Sequence, residues 1–163
     1  MRELILLRHA EAMQIALGGS DRARPLSLRG EHEAREAGAW LRAQGARPDA
    51  VLCSPARRAQ MTVERALDVL FAHATPAPVP KFVPEIYEAT PGTLVALLEQ
   101  QAAVAQQVLL VGHNPGLEQL LALLTSGRSP DARGIPPAGL AWIELQDAGL
   151  EPGSARLRAI WSP

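Results

Sequence analysis

Three short apolar runs, each closing on a cluster of polar residues, constrain this chain more than any other feature. Leu4-Ile5-Leu6-Leu7 leads into Arg8-His9-Ala10-Glu11, and Ala50-Val51-Leu52-Cys53 leads into Ser54-Pro55-Ala56-Arg57-Arg58. Val108-Leu109-Leu110-Val111 leads into Gly112-His113-Asn114-Pro115-Gly116. Unbroken apolar runs of this length suit parallel strands buried on both faces. Between and after them, apolar residues recur at helical spacing. Ala34, Ala37, Gly38 and Leu41 share a face in 29–44, and Ala59, Val63, Ala66, Leu67 and Leu70 in 56–73. Leu94, Leu97 and Leu98 mark 90–105, and Leu117, Leu120, Leu121 and Leu124 mark 115–124. Residues 140–145 and 155–161 read as strands around a turn at 149–153. Arg156 and Arg158 alternate with Leu157, Ala159 and Trp161, which gives the last strand one wet face and a place near a sheet edge. Segments 13–24 and 75–84 read as loops, the second with four prolines. The alternation predicts an α/β fold: three layers, α/β/α, around a mostly parallel central sheet, in a single domain over 1–163.

Composition narrows the function classes. Lys and Arg number 16 against 17 Asp and Glu, so the formal charge of −1 gives no global electrostatic case for nucleic acid or an anionic membrane. The single cysteine, Cys53, excludes an internal disulfide framework and a cysteine-rich metal site. A membrane-spanning helix needs about 20 apolar residues, and no stretch approaches that. The opening run is also too short for a signal peptide, so a cytoplasmic protein is expected.

In an open parallel sheet, ligands bind in the crevice beyond the carboxyl ends of the strands. All three polar clusters sit at such ends. Ser54 and Asn114 are of the N-cap type, each followed by proline, and are expected to start the helices that follow. A helix start offers unpaired N–H groups and partial positive charge, which suits an anion. Two histidines, two or three arginines and two helix starts therefore converge on one crevice, the makings of a phosphate site. His32 and His73, both on helical segments, read as ordinary surface or core residues. Between Arg57 and Arg58 the local pattern does not choose.

These motifs resemble the histidine phosphatase superfamily, formerly the phosphoglycerate mutase-like branch, and within it the short bacterial phosphohistidine phosphatases of the SixA type. Leu6-Leu7-Arg8-His9-Ala10-Glu11 resembles the family's Arg-His-Gly or Arg-His-Ala signature. That resemblance implies His9 as nucleophile and Arg8 as a phosphate-binding arginine. Arg24-Pro25-Leu26-Ser27-Leu28-Arg29-Gly30 is similar to the Pro-Leu-Thr/Ser-x-x-Gly stretch before the first helix. Ser54-Pro55-x-x-Arg58-Ala59-x-x-Thr62 matches Ser-Pro-x-x-Arg-Ala-x-Gln-Thr, which implies Arg58 as the second phosphate arginine and Arg57 as a bystander. Met61 stands where the family has glutamine. Gly112-His113-Asn114-Pro115-Gly116 resembles the segment with the second essential histidine, His113. Arg24 and Asn114 join as candidate phosphate- or substrate-binding residues. Larger relatives use a glutamate after the second motif as proton donor. Glu85 and Glu88 lie in the corresponding region, with a solvated pair of surface carboxylates as the other reading.

Rival chemistries fail on spacing. A cysteine phosphatase needs Arg six residues after Cys, and position 59 is Ala. His9, His32, His73 and His113 include no i, i+3 or i, i+4 pair, so no metal site is expected. Lys81 follows no phosphate-cradling glycine loop. No cofactor is implied. The expected activity is a metal-independent phosphohydrolase with a phospho-His9 intermediate, acting on phosphohistidine of a signalling protein such as a histidine-phosphotransfer domain. A small-molecule phosphomonoesterase or mutase-like enzyme remains a second reading, and a phosphoprotein-binding module without turnover a third.

Overall fold

The first apolar run becomes the centre of a six-stranded sheet in the computed structural model, which describes residues 1–14, 19–72, 76–126, 134–146 and 149–163. The strands are β1 (Glu3–Arg8), β2 (Ala50–Cys53), β3 (Lys81–Phe82), β4 (Gln107–Gly112), β5 (Leu140–Leu145) and β6 (Ala155–Trp161). Their order across the sheet is β3-β2-β4-β1-β5-β6. The β1–β4, β2–β4 and β2–β3 pairs are parallel, whereas β5 pairs antiparallel with both β1 and β6. The helices are α1 (Leu28–Ala43), α2 (Arg57–Leu70), α3 (Pro91–Ala102) and α4 (Gly116–Ser126).

The period-two geometry of β1 builds the layers. Leu4 and Leu6 join Leu94 and Leu98 of α3 and Leu117, Leu120 and Leu124 of α4 on one face. Ile5 and Leu7 join Ala37 and Leu41 of α1 and Val63, Leu67 and Leu70 of α2 on the other. Leu4 through Leu7 are wholly buried, and each such side chain contributes roughly 1.5–3 kcal/mol relative to exposure. The runs therefore had to be apolar at every position, which is why they were conspicuous in the sequence.

Several boundaries differ from the expected ones. The second helix ends at Leu70, with Phe71 closing it, and His73 lies outside the described residues. The third helix ends at Ala102 rather than 105. Lys81–Phe82, inside the segment expected to be a loop, pairs Leu52 with Lys81 and Cys53 with Phe82. A pair of exposed residues at a sheet edge is too short to form an apolar run or alternation. On β6, a register irregularity opposite Trp142 and Ile143 leaves Leu157 41% exposed rather than inward. Among the described residues no helix is long and apolar enough to cross a membrane.

Neither expected side-chain cap forms. The residue preceding the first turn of α2 is Ala56, with no side-chain cap bond. Ser54 Oγ accepts only a 3.3 Å bond from the Ala56 N–H, because its hydroxyl is also engaged by His113 at 2.7 Å. Asn114 uses its amide as a donor, to the Ile135 carbonyl at 2.8 Å and to Glu118. Its acceptor oxygen is buried and has no partner among the described residues.

Candidate active site

Strand register alone brings the three polar clusters together. Arg8 pairs with Gly112 and Cys53 with Val111, so the next residues, His9, His113 and Ser54, leave the sheet side by side. The His9 N–H donates to the Gly112 carbonyl at 3.1 Å, and the Ser54 N–H to the Val111 carbonyl at 3.0 Å. Thr62, wholly buried on α2, donates its hydroxyl to the Arg58 carbonyl at 2.7 Å and accepts the Ala10 N–H at 3.0 Å. It ties the first turn of α2 to the loop after His9. On the far side of that loop, Ser27 caps α1 by accepting the Gly30 N–H, and its hydroxyl donates to Glu11 at 2.7 Å. A Cβ on Gly30 would lie 2.0 Å from the Glu11 carbonyl oxygen, so only glycine lets α1 dock there. Glu11 thus supports the loop and takes no place in the cluster.

The tautomer of His9 follows from its bonds. Nδ1 faces the Ala10 carbonyl at 2.8 Å and must carry the proton, which leaves the lone pair on Nε2. The Arg58 Nε–H points at that lone pair from 3.3 Å. Arg58 is 7% exposed, whereas Arg57 faces solvent. The ring of His113 lies 5.0 Å from that of His9. Its Nδ1 is 3.4 Å from an Arg58 Nη, which makes Nδ1 the acceptor and leaves the Nε2–H to donate to Ser54 Oγ. Arg8 donates from Nη1 to the Ile135 carbonyl at 2.8 Å, and its buried Nε has no partner among the described residues.

Burial, which penalises the imidazolium, pulls both histidines far below their ordinary value. His9 falls to about 4, opposed by its bond to the Ala10 carbonyl and helped by the charges of Arg58, Arg8 and Arg24. His113 falls to about 3, with His9 and Arg58 adding to the burial effect. Both rings are therefore neutral at pH 7. Between about pH 4 and 6.5 the unfolded chain binds protons on these histidines that the fold does not. Stability from this source is fully present above pH 6.5 and is lost as pH falls toward 4. Urea midpoints measured from pH 7.5 down to 5 should fall through this window, and more shallowly in His113→Gln. Equal slopes in the two proteins would contradict the assignment.

Two residues that sequence reasoning missed complete the cluster. Asp21, in the loop before α1, accepts from an Arg58 Nη at 3.0 Å and from the Tyr87 hydroxyl at 2.7 Å through Oδ2. Its Oδ1 accepts from Arg24 at 2.8 Å, and its backbone carbonyl accepts the other Arg58 Nη at 2.8 Å. The Tyr87 and Arg24 hydrogen bonds, followed by Arg58, hold the Asp21 carboxyl far below the usual carboxylate range. Tyr87 stands edge-on to His113, 5.4 Å between ring centroids, and Arg22 lies over its outer face at 4.3 Å. Its hydroxyl is pushed up, first because it donates a hydrogen bond to Asp21 that ionisation would destroy, with burial and the Asp21 charge adding. The available signals were slight: Asp21 stands three residues before Arg24, and Tyr87 is the chain's one tyrosine, between the two glutamates considered as proton donors.

The other expected residues fall into place unevenly. Arg24 reaches the cluster through Asp21 and also donates to the Met13 carbonyl at 2.7 Å. Asn114 holds the Ile135 segment beside Arg8. Met61 fills the glutamine position as a core residue, packed with Ala10, Leu26, Ala34 and Ala138, its sulfur 3.5 Å from the Leu26 N–H. Glu85 is not brought into the cluster. It is exposed and lines a separate groove with Lys81, Phe82, Leu97, Gln100 and Gln101, because the short 3-10 turn Pro84–Ile86 directs Ile86 inward instead. Glu88 is exposed too. Glu85→Gln should therefore leave turnover within about two-fold on both phosphohistidine and ester substrates, as an exposed substitution remote from the reacting atoms does. A selective loss on esters would restore it as proton donor. Among the described residues no group of three or more His, Cys, Asp or Glu side chains is placed to hold a metal ion.

Comparison with known proteins follows the same outline. The model of the histidine phosphatase superfamily, branch 1, matches residues 4–79, which include His9 and Ser54 to Thr62. An uncharacterized protein of Mycobacterium tuberculosis is 34% identical over 160 residues, covering 93% of this chain and 96% of that protein. The phosphohistidine phosphatase SixA of Escherichia coli is 27% identical over 147 residues, covering 90% of this chain and 88% of that protein. The structure of the protein histidine phosphatase SixA complexed with tungstate superposes with a TM-score of 0.83 at 26% identity, covering 99% of this chain and 97% of that one.

Proposed function

We propose for this chain, which belongs to the histidine phosphatase superfamily, the hydrolysis of protein phosphohistidine through a phosphoryl group carried on His9. One observation carries the reading: a neutral imidazole whose free Nε2 lone pair is held 3.3 Å from a buried arginine, at the strand ends where Arg8 and His113 converge. Such a ring needs no deprotonation before it attacks phosphorus. The likeness to SixA of Escherichia coli, which covers 90% of this chain, supports phosphohistidine as substrate.

In the first step the His9 Nε2 lone pair forms a bond to phosphorus while the bond to the leaving atom breaks in line, its electron pair departing with the leaving group. A substrate phosphohistidine with its second ring nitrogen protonated leaves as neutral imidazole, so no enzymic acid is required. Water then attacks phospho-His9, releasing inorganic phosphate and restoring the neutral ring. Arg8 and Arg58 donate to the nonbridging oxygens throughout. The planar arginine fork offers aligned charge-assisted bonds and stays protonated near neutrality. His113 keeps its Nε2–H on Ser54 Oγ, takes a proton on Nδ1 from the substrate's phosphoryl monoanion, donates that N–H to a phosphoryl oxygen and returns the proton to the released phosphate. These groups supply the charge that a divalent cation supplies in other phosphoryl transfers. Turnover should persist in excess EDTA. Loss in chelator with recovery on added Mg²⁺ or Zn²⁺ would contradict a metal-independent mechanism.

All four described helices pack on the faces of the sheet, and the substrate we propose is one presented on another protein, such as a histidine-phosphotransfer domain of a cytoplasmic signalling chain. The test is phosphate release from a phosphorylated phosphotransfer domain, compared with a panel of small phosphate esters. Faster release from the protein, by kcat/KM, supports the reading. Release from esters alone would make the chain a small-molecule phosphomonoesterase, and binding without release a recognition module.

A further inference from the structure

We propose that Asp21 is a specificity-determining residue of this site, which disfavours substrates whose leaving group departs as an anion and admits phosphohistidine, whose imidazole departs neutral. The proposal rests on the phosphohistidine reading above and adds the residue that discriminates.

The Arg58 guanidinium links nucleophile and carboxylate. Its Nε faces His9 Nε2 at 3.3 Å, while its two Nη atoms reach Asp21 Oδ2 at 3.0 Å and the Asp21 carbonyl at 2.8 Å. A phosphoryl group held by this guanidinium and attacked from Nε2 carries its leaving atom on the side opposite His9, and Asp21 lies at the other end of the same fork. Three groups fix the carboxylate there: Arg24, Tyr87 and Arg58. Its side chain is still 48% exposed, so it remains open to a bound substrate. The Tyr87 and Arg24 hydrogen bonds keep it ionised, which rules it out as a proton donor for an alkoxide.

Leaving-group charge then decides the outcome. When a phosphate ester reacts, the P–O bond breaks and its electron pair leaves on oxygen, building negative charge toward Asp21. When phosphohistidine protonated on its second nitrogen reacts, the P–N bond breaks and the electron pair discharges the ring to neutral imidazole. Like charges a few ångströms apart repel strongly even at an effective dielectric of about 20. The ester transition state therefore bears a penalty that the phosphoramidate transition state escapes. Repulsion between Asp21 and the phosphoryl oxygens is common to both substrates and cancels in the ratio of their rates.

The test is kcat/KM for a phosphohistidine peptide and for nitrophenyl phosphate in the wild type, Asp21→Asn and Asp21→Ala, with thermal unfolding as the check on folding. Asp21→Asn keeps the side chain's shape and removes its charge. The ratio of phosphohistidine to ester turnover should fall by about ten-fold or more in both variants, with ester turnover rising. If both activities change by one common factor, Asp21 acts only by holding Arg58, and the proposal is overturned. A fall in Asp21→Ala that is absent in Asp21→Asn overturns it as well, because shape rather than charge would be the cause. A wild type that hydrolyses nitrophenyl phosphate but no phosphohistidine refutes the phosphohistidine reading itself, an outcome visible before any variant is made.

Discussion

His9→Ala is expected to lower turnover by on the order of 10⁴-fold or more, the scale on which a covalent nucleophile acts. The side chain removed is a neutral ring oriented by the Ala10 carbonyl and presented to Arg58. Nothing else in the cluster replaces it. His113 is turned by its bond to Ser54, and its other nitrogen faces an Arg58 Nη. The Cys53 thiol is buried, and that burial pushes it well above its ordinary value, so it is no substitute nucleophile. The fold should survive, because among the described residues the ring's one backbone bond is to its own neighbour and β1 is held by pairing on both sides. Residual activity within a few-fold of the parent, in a variant with unchanged thermal unfolding, would show that His9 is not the nucleophile.

Arg58→Ala is expected to cost at least about 10²-fold in kcat/KM, and Arg57→Ala no more than about two-fold. Each charge-assisted hydrogen bond is worth roughly 1.5–3 kcal/mol, and Arg58 is positioned to make more than one to a phosphoryl group. It also bears on His9 and His113 together. Arg58→Lys should restore little, since a point charge cannot reach both histidines and Asp21 from one stem. Arg57, one residue earlier on α2, faces solvent. If Arg57→Ala proved the damaging change and Arg58→Ala the mild one, the register of α2 against the site would be wrong.

The contrast between these adjacent arginines shows what the sequence could and could not convey. Helical periodicity placed both on the first turn of α2, and only the likeness of Ser54-Pro55-x-x-Arg58 to a family motif separated them. The parallel strands were legible because β1, β2 and β4 are covered on both faces and had to be apolar throughout. β3 was not, since two exposed residues held by backbone pairing leave no trace in side-chain pattern. Capping propensity misled at Ser54 and Asn114. Their side chains follow tertiary partners, His113 in one case and Ile135 with Glu118 in the other, and these outcompete the local bond. Asp21 and Tyr87 stayed hidden for a related reason. They meet 66 residues apart in sequence, and neither belongs to a spacing that chemistry demands. Glu85 lies in the region where larger relatives carry a proton donor, and the turn that buries Ile86 sets it in a different groove.

A phosphoryl group carried on His9 is the step on which the proposed mechanism turns. The measurement is rapid acid-free quenching of the enzyme during turnover of a ³²P-labelled phosphohistidine protein, followed by peptide mapping. The predicted result is one labelled peptide containing Arg8-His9-Ala10, with the label stable to base, released by mild acid and absent from His9→Ala. Label on another residue, or steady turnover with no labelled enzyme even when hydrolysis of the adduct is slowed in the cold, would contradict it.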